Sequence, residues 1–442
     1  MIGGGILFTP PQVAAAVLSA PAFLAVWVVG GLLALAGASA YAELAAFRPR
    51  AGGEYVYLRA AFGPFAAFLT GWTSFIAGFS GAIATSATVL AFYLGRFLPG
   101  ASSTSPFLDL PIVPGLIRVT ASPQTAVALA AIWGLALVHL RGVGPGRVVG
   151  NLLAALKVSA LVVFIALGFS LGQGDAAHFT SAGAAVGVTG SAPSAGVLGW
   201  LLALVPVMFT YSGWNAAAYV AEEVREPGRN VPAALAIGTT AVIAIYLLLN
   251  ALYLYVFDVA ALAGIQGSVL DVIADRLLGS AAGNVMGLVS IVSLLASISA
   301  MTFAGPRVYF AMARDGAFFA RAARVHPDYR TPATAIVAQA TWSSLLVLSA
   351  GADALVTYTG FAIVLFSGVA VAGLFVLRRR EPEAARPFRA WGYPLAPGIF
   401  VVVSALILAN ALYSAPGPSG AGAAIILAGA PLYLVFRTRR AR

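Results

Sequence analysis

Leu204-Val205-Pro206-Val207-Met208-Phe209-Thr210-Tyr211-Ser212-Gly213-Trp214-Asn215 lies within an apolar stretch, 196–221, long enough to cross a bilayer. It carries a proline and then a Thr-Tyr-Ser-Gly cluster at mid-membrane depth. Proline removes a backbone hydrogen bond and bends a helix, and Gly213 permits backbone angles that a helix does not use. A proline kink alone would account for this stretch. A second one turns it into a pattern: Ile2-Gly3-Gly4-Gly5-Ile6, followed by Thr9-Pro10-Pro11. Each glycine costs about 1 kcal/mol against alanine in a helix, so three in a row predict unwound chain. In a bilayer such backbone survives only where protein or a water-filled cavity satisfies it. Breaks in a first and a sixth span are the layout of a five-plus-five inverted repeat, in which half-helix ends form a substrate site. Freed N–H groups there favour a carboxylate, and freed carbonyls favour an ammonium.

The rest of the chain supports a membrane setting. Of 442 residues, 60% are hydrophobic and 9% charged, and the mean hydropathy is +0.93. A soluble domain carries about 25% charged residues, so a water-soluble enzyme is excluded. Eleven full spans are expected near 22–46, 65–95, 122–140, 148–172, 196–221, 233–257, 280–305, 333–350, 354–377, 394–413 and 419–436, with a short twelfth at 2–18. That short piece has no basic region before it and no cleavage site, so it is not a signal peptide. With the segment before Ile2 placed in the cytoplasm, 21 arginines fall in cytoplasmic loops and the tail. Only Arg96, Arg118 and Arg276 fall outside. The formal charge of +10 is therefore a topology signal that puts the C-terminus in the cytoplasm, with no nucleic-acid partner implied. No soluble domain is attached: the pieces near 99–121, 173–195 and 306–332 are short, the first reading as an external loop and the last as a cytoplasmic connector. There is no cysteine, which excludes disulfides, thiolate metal sites and a Cys nucleophile.

Lys157 is the only lysine, close to the middle of the fifth span. An ionisable group at that depth is a functional-site hypothesis, and snorkelling suits a lysine nearer a helix end. It either exchanges a proton or, permanently charged, takes the place of a bound cation and braces the helices. Glu43, closing the second span as Tyr41-Ala42-Glu43-Leu44, is a gate or an interfacial carboxylate. Glu222, Glu223, Arg225, Glu226 and Arg229 come after the sixth span and form a solvated face or an inner-gate network. Other patterns carry no chemistry. Gly168-Phe169-Ser170-Leu171-Gly172 matches a nucleophile-elbow string but ends a membrane helix. Gly142-Val143-Gly144-Pro145-Gly146 is not preceded by a strand. His139, His178 and His326 fall in separate loops or loop edges without metal-ligand spacing, and nothing calls for a cofactor.

These strings, in their order, resemble the amino acid–polyamine–organocation (APC) transporter superfamily, and within it the bacterial relatives of the L-type amino acid transporters. Ile2-Gly3-Gly4-Gly5-Ile6 resembles the family's I-G-x-G-I stretch. Tyr41 to Leu44, then Pro49-Arg50-Ala51-Gly52-Gly53-Glu54-Tyr55, resembles its second-span and loop signature. Phe209 to Asn215 with Glu222-Glu223, Pro227, Arg229-Asn230 and Pro232 resembles its sixth span. Gly305-Pro306-Arg307 through Arg314-Asp315-Gly316 is similar to the end of its eighth span, and Arg378-Arg379-Arg380-Glu381-Pro382 with Arg386-Pro387-Phe388 to a later loop. The resemblance covers nearly the whole chain.

It implies an all-α integral membrane protein with a LeuT-like fold: a first repeat over 1–172, an inverted second over 196–377, and two further helices over 394–436. About twelve spans are expected, the first N-terminally truncated, because the half-helix that should precede Gly3 is absent. The true start then lies upstream, or one wall of the site is missing. By the same resemblance Ile2, Gly3, Gly4, Gly5 and Ile6 line the site for the substrate's carboxylate and amine. Phe209 is an aromatic gate, Thr210, Ser212 and Gly213 lie at the break, and Asn215 faces the pocket. Gly4 stands where relatives often have serine. Lys157 falls where many members have a lysine in place of a second sodium site, which suggests sodium-independent exchange or proton-linked uptake. The disulfide-linked ancillary subunit of the animal relatives is impossible without cysteine.

The expectation is a secondary transporter of amino acids, leaning to neutral ones, in a plasma membrane, a bacterial inner membrane fitting best. A polyamine or organic-amine carrier is the alternative of the same class, disfavoured because the spans hold almost no acid besides Glu43. An intramembrane enzyme lacks a nucleophile–base pair, and a transport-inactive sensor lacks an output domain.

Overall fold

The computed structural model describes residues 1–17, 19–113, 117–171, 174–181, 197–349, 352–414 and 416–440. In chain order the helices are α1 (Gly5–Ala16), α2 (Ala20–Phe47), α3 (Glu54–Phe62), α4 (Pro64–Thr73), α5 (Phe79–Leu94), α6 (Pro123–Leu140), α7 (Val143–Leu171) and α8 (Val197–Tyr211). They continue with α9 (Ala216–Tyr219), α10 (Pro227–Val256), α11 (Val259–Ala263), α12 (Val269–Leu278), α13 (Ser280–Arg314), α14 (Ala333–Leu348), α15 (Ala352–Arg380), α16 (Leu395–Ser414), α17 (Pro416–Leu427) and α18 (Gly429–Arg440). A π-helical turn, Ser74–Gly78, joins α4 to α5.

Among the described residues nine helices are long and apolar enough to cross a membrane, against eleven expected. The shortfall has two physical sources. α14 is only 16 residues long, and the stretch expected at 196–221 is interrupted, with α8 ending at Tyr211 and α9 resuming at Ala216. The loop expected over 99–121 contains an antiparallel hairpin, β1 (Leu108–Val113) with β2 (Ile117–Ala121), in which Asp109 faces Thr120 and Leu110 faces Val119. The all-α reading therefore holds for the spans and not for this connection. Alternation of apolar and polar residues over so few positions was hidden by the prolines at 106 and 111. Of the connection at 173–195, residues 173 and 182–195 lie outside the described residues, as do Leu18 and Gly172, which end the pieces at 2–18 and 168–172.

Contacts gather the chain into two compact units. The first holds Met1–Leu35, Leu152–Trp214 and Ile237–Leu294. In it α1 packs on α8, α11 and α12. Its core is an aromatic cluster: the Trp27 ring lies 6.0 Å from those of Tyr211 and Tyr246, which are 5.1 Å apart. Edge-to-face pairs of this kind contribute about 0.5–1.5 kcal/mol each beyond burial. The second unit holds Ala36–Asn151, Asn215–Ala236 and Leu295–Arg442. There α14 packs on α5 and α6, α15 packs on α3, α5, α16 and α17, and α18 lies on α4.

Candidate functional site

In the first unit the start of α1 meets the break after α8. Residues 1–4 precede the helix, and the N-cap Gly4 supplies no side-chain cap, so the first N–H groups of α1 are not satisfied by a capping side chain. The unwound glycine run is shorter than expected, since α1 already begins at Gly5. Gly5 is the contact point: a Cβ there would stand 2.9 Å from the Thr210 Cα, which only glycine avoids. Thr210 Oγ1 bonds Thr9 Oγ1 at 2.9 Å and the Pro206 carbonyl at 2.9 Å. The Tyr246 hydroxyl reaches the carbonyls of Met1 at 3.0 Å and Thr210 at 3.2 Å. These contacts hold residues 1–5 against residue 210.

The break itself sits later than Pro206, which α8 accommodates. The chain leaves the helix at Tyr211, Ser212 N–H closes a turn on the Phe209 carbonyl at 3.0 Å, and Gly213 takes φ +92°. L-residues rarely adopt that angle, so the glycine fixes where the helix stops. A Cβ on Gly213 would fall 3.1 Å from the Met1 nitrogen, so the two breaks are adjacent. Ile2 and Ile6 are buried, while Gly3, Gly4, Gly5, Phe209, Ser212 and Gly213 are half-exposed. The arrangement places helix-start N–H groups beside the carbonyl end of α8, a pairing of partial charges that suits an anion and a cation on one small molecule. Lys157, at the midpoint of α7, donates from Nζ to the Ile2 carbonyl at 2.7 Å.

The expected gate residues all lie in the second unit, and the structure separates their roles. Glu43 is buried and accepts from Arg378 Nη2 at 2.6 Å, from Arg378 Nε at 2.9 Å and from the Ala390 N–H at 2.7 Å, with Arg386 Nε at 3.2 Å. It anchors the end of α15 and the loop after it to α2. Glu222 accepts the Ala51 N–H at 2.9 Å and pairs with Arg314 at 2.8 Å. Partial burial works against its ionisation, but the Ala51 and Arg314 hydrogen bonds and the charges of Arg314 and Arg50 outweigh it and hold the carboxyl below the usual range. Glu223 pairs with the buried Arg307 at 2.9 Å. Arg229 is exposed and, among the described residues, has no ion-pair partner, so it stands apart from this network.

Asn215 turns its amide to Glu54, donating to Oε1 at 2.9 Å. Tyr41 donates to the same oxygen at 2.6 Å, and Tyr219 also bonds this carboxyl. Sequence reasoning quoted Glu54 only as part of a string. The signal that could have found it is an acid placed directly after Gly52-Gly53, where a tight turn buries the next side chain. His139, expected at a loop edge, is buried in the last turn of α6 with Nε2 2.9 Å from Ser299 Oγ. Among the described residues no group of histidines and acids could hold a metal.

An apolar multi-helix chain in which the start of α1 meets the end of α8, close to a half-buried lysine, suits a membrane carrier. A family-wide description of amino acid permeases matches residues 1–436, and the chain belongs to that family. It is 29% identical to the human cystine/glutamate transporter over 99% of this chain and 82% of that protein. It is 27% identical to the serine/threonine exchanger SteT of Bacillus subtilis over 100% and 94%, and 29% identical to human large neutral amino acids transporter small subunit 2 over 98% and 77%. These relatives are transporters and exchangers, not enzymes.

Proposed function

We propose that this protein is a secondary amino acid transporter working by alternating access, with the substrate's carboxylate at the N–H groups of Gly3 to Gly5 and its ammonium at the carbonyls ending α8. The observation that carries this is the contact of the two breaks through Gly5, Thr210, Tyr246 and Gly213. Ile2 and Ile6 flank the carboxylate site, Phe209 covers the substrate, and Thr210, Ser212 and Gly213 shape the break. Asn215 comes next in the chain and bonds Glu54. The half-exposed Phe209 and the glycine-lined start favour a neutral side chain. The reading includes a LeuT-like architecture of about twelve spans, with repeats over 1–172 and 196–377 and two further helices over 394–436, in a plasma membrane with the C-terminus in the cytoplasm. Lys157 supplies a fixed ammonium where a cation would otherwise sit, consistent with sodium-independent exchange or proton-linked uptake.

Uptake of a panel of labelled amino acids into proteoliposomes tests it, with and without internal amino acid, sodium and a pH gradient. Neutral amino acids should enter, faster when the vesicles are preloaded, and sodium should make no difference. Absence of uptake and of binding across the panel would overturn the reading, and uptake of amines alone would redirect it to an organic-amine carrier.

A further inference from the structure

Glu54 stands out among the acids of the second unit. Glu43, Glu222, Glu223 and Asp315 each meet an arginine. Glu54 is 7% exposed and, among the described residues, its hydrogen-bond partners are all uncharged: Tyr41 from α2, and Asn215 and Tyr219 from the segment after the break. Tyr57 of α3 is buried beside it, and Tyr309 of α13 faces Tyr219. The charged groups on the adjoining segments are closed on one another: Glu222 with Arg314, Glu223 with Arg307, and Asp315 with Arg50 and Arg59. The packing is tight, for Gly53 takes φ +50° and a Cβ on it would meet the Tyr219 ring at 2.6 Å.

We infer that Glu54 is a proton-binding site that latches α9 to α2 and α3: the cage of Tyr41, Asn215 and Tyr219 closes on the protonated carboxyl and opens when it ionises. A carboxylate enclosed without a cation has lost its hydration and received only neutral dipoles in return, whereas the acid form leaves no charge to be buried. Burial accordingly pushes the Glu54 carboxyl up, and the hydrogen bonds from Tyr41, Tyr219 and Asn215 offset only part of that rise. When α9 swings away and water enters, the carboxyl returns to its ordinary range and releases its proton to that water; on closing it takes one up again. Linkage sets the sign. The closed cage is fully favoured below the ordinary carboxylate pKa and loses that advantage as the pH climbs to the raised one. The segment that moves begins at Asn215, directly after the substrate-side break, so proton release is tied to the rearrangement that transport requires. Naming the moving segment a gate rests on the transporter reading; the proton site does not.

The chain has no cysteine, so a single introduced one reports opening. Ala218, fully buried in α9, becomes the probe as Ala218→Cys, and the exposed Ala216→Cys provides the reference that cancels the thiol's own ionisation. In reconstituted protein, the ratio of maleimide labelling at the two positions should rise with pH by up to about tenfold per unit between the ordinary and the raised pKa. Glu54→Gln, which stays neutral, should make the ratio flat. Infrared spectra should show a protonated-carboxyl band that persists above the ordinary carboxylate range and that Glu54→Gln removes. Should Glu54→Gln fail to fold, Tyr41→Phe removes the donor that stabilises the ionised form and should move the labelling profile to higher pH. A ratio independent of pH in the otherwise native chain, an unchanged profile in Glu54→Gln, or an unmoved one in Tyr41→Phe would overturn the inference. Uptake with pH-independent labelling defeats the latch alone. Labelling that changes with pH in a protein that transports nothing defeats the transporter reading alone.

Discussion

Lys157 carries the only ammonium side chain in the sequence, and the structure points it at a backbone carbonyl with, among the described residues, no acid opposite. Under the proposed function, this ammonium, held by a carbonyl at the unwound start of a helix, takes the place of a bound metal ion. Hydrogen bonds to charged groups contribute about 1.5–3 kcal/mol, which is roughly a 10- to 100-fold effect on an equilibrium. Lys157→Ala should therefore weaken substrate binding and uptake together by about that factor, measured by equilibrium binding and initial rates in proteoliposomes. A proton carrier would behave differently, losing pH-driven uptake while binding survives, so the two measurements distinguish the roles. The place of Lys157 midway along a long apolar helix was legible in the sequence because hydropathy alone sets it. Its partner was not, since a backbone carbonyl 155 residues away in sequence has no side-chain signature. The same holds for Glu54, whose neighbours Tyr41, Asn215 and Tyr219 come from separate segments and carry no charge to match.

At the scale of elements, the acids near the arginine-rich loops divide by burial. The Glu43 side chain is 1% exposed and holds two arginines and a peptide N–H, whereas the Glu222–Arg314 pair is 38% exposed on both sides. Breaking a buried pair leaves uncompensated charge and costs about 3–5 kcal/mol, while exposed pairs contribute about 0–1 kcal/mol. Glu43→Gln should consequently lower the thermal unfolding midpoint in detergent by many degrees, and Glu222→Gln should barely move it. Equal effects would mean that Glu43 does not anchor α15 to α2. The helices themselves were readable from apolar length, and the break at Ser212 to Asn215 from its glycine. The exact stop is set by Gly213 at φ +92° and not by Pro206, because a proline costs a helix only one bond that neighbours can replace. The hairpin over β1 and β2 was missed for the opposite reason: its strands are short and interrupted by Pro111, so their period never emerged.

Across the whole molecule the distribution of arginine decides orientation, and the lack of cysteine makes that orientation measurable. Of the 24 arginines, 21 lie in the helix ends and loops that join α2 to α4, α6 to α7, α9 to α10, α13 to α14 and α15 to α16 and in the C-terminal stretch, while the connection that holds the β1–β2 hairpin carries Arg118 paired with Asp109, with Nε 3.2 Å from Oδ1. Positive loops resist translocation, and a neutralised arginine in a short hairpin opposes it little. Ser105, exposed just before β1, and Ala384, in the loop between α15 and α16, give one position on each expected side. In intact cells a membrane-impermeant maleimide should label Ser105→Cys at once. It should reach Ala384→Cys only after permeabilisation. The reverse pattern would invert the assignment and put the Glu43, Glu54 and Glu222 clusters outside, so that the Glu54 proton would exchange with external water. Labelling of both in intact cells would instead mean that an even number of crossings separates them, and the span count of the second repeat would have to be redrawn around the 16-residue α14.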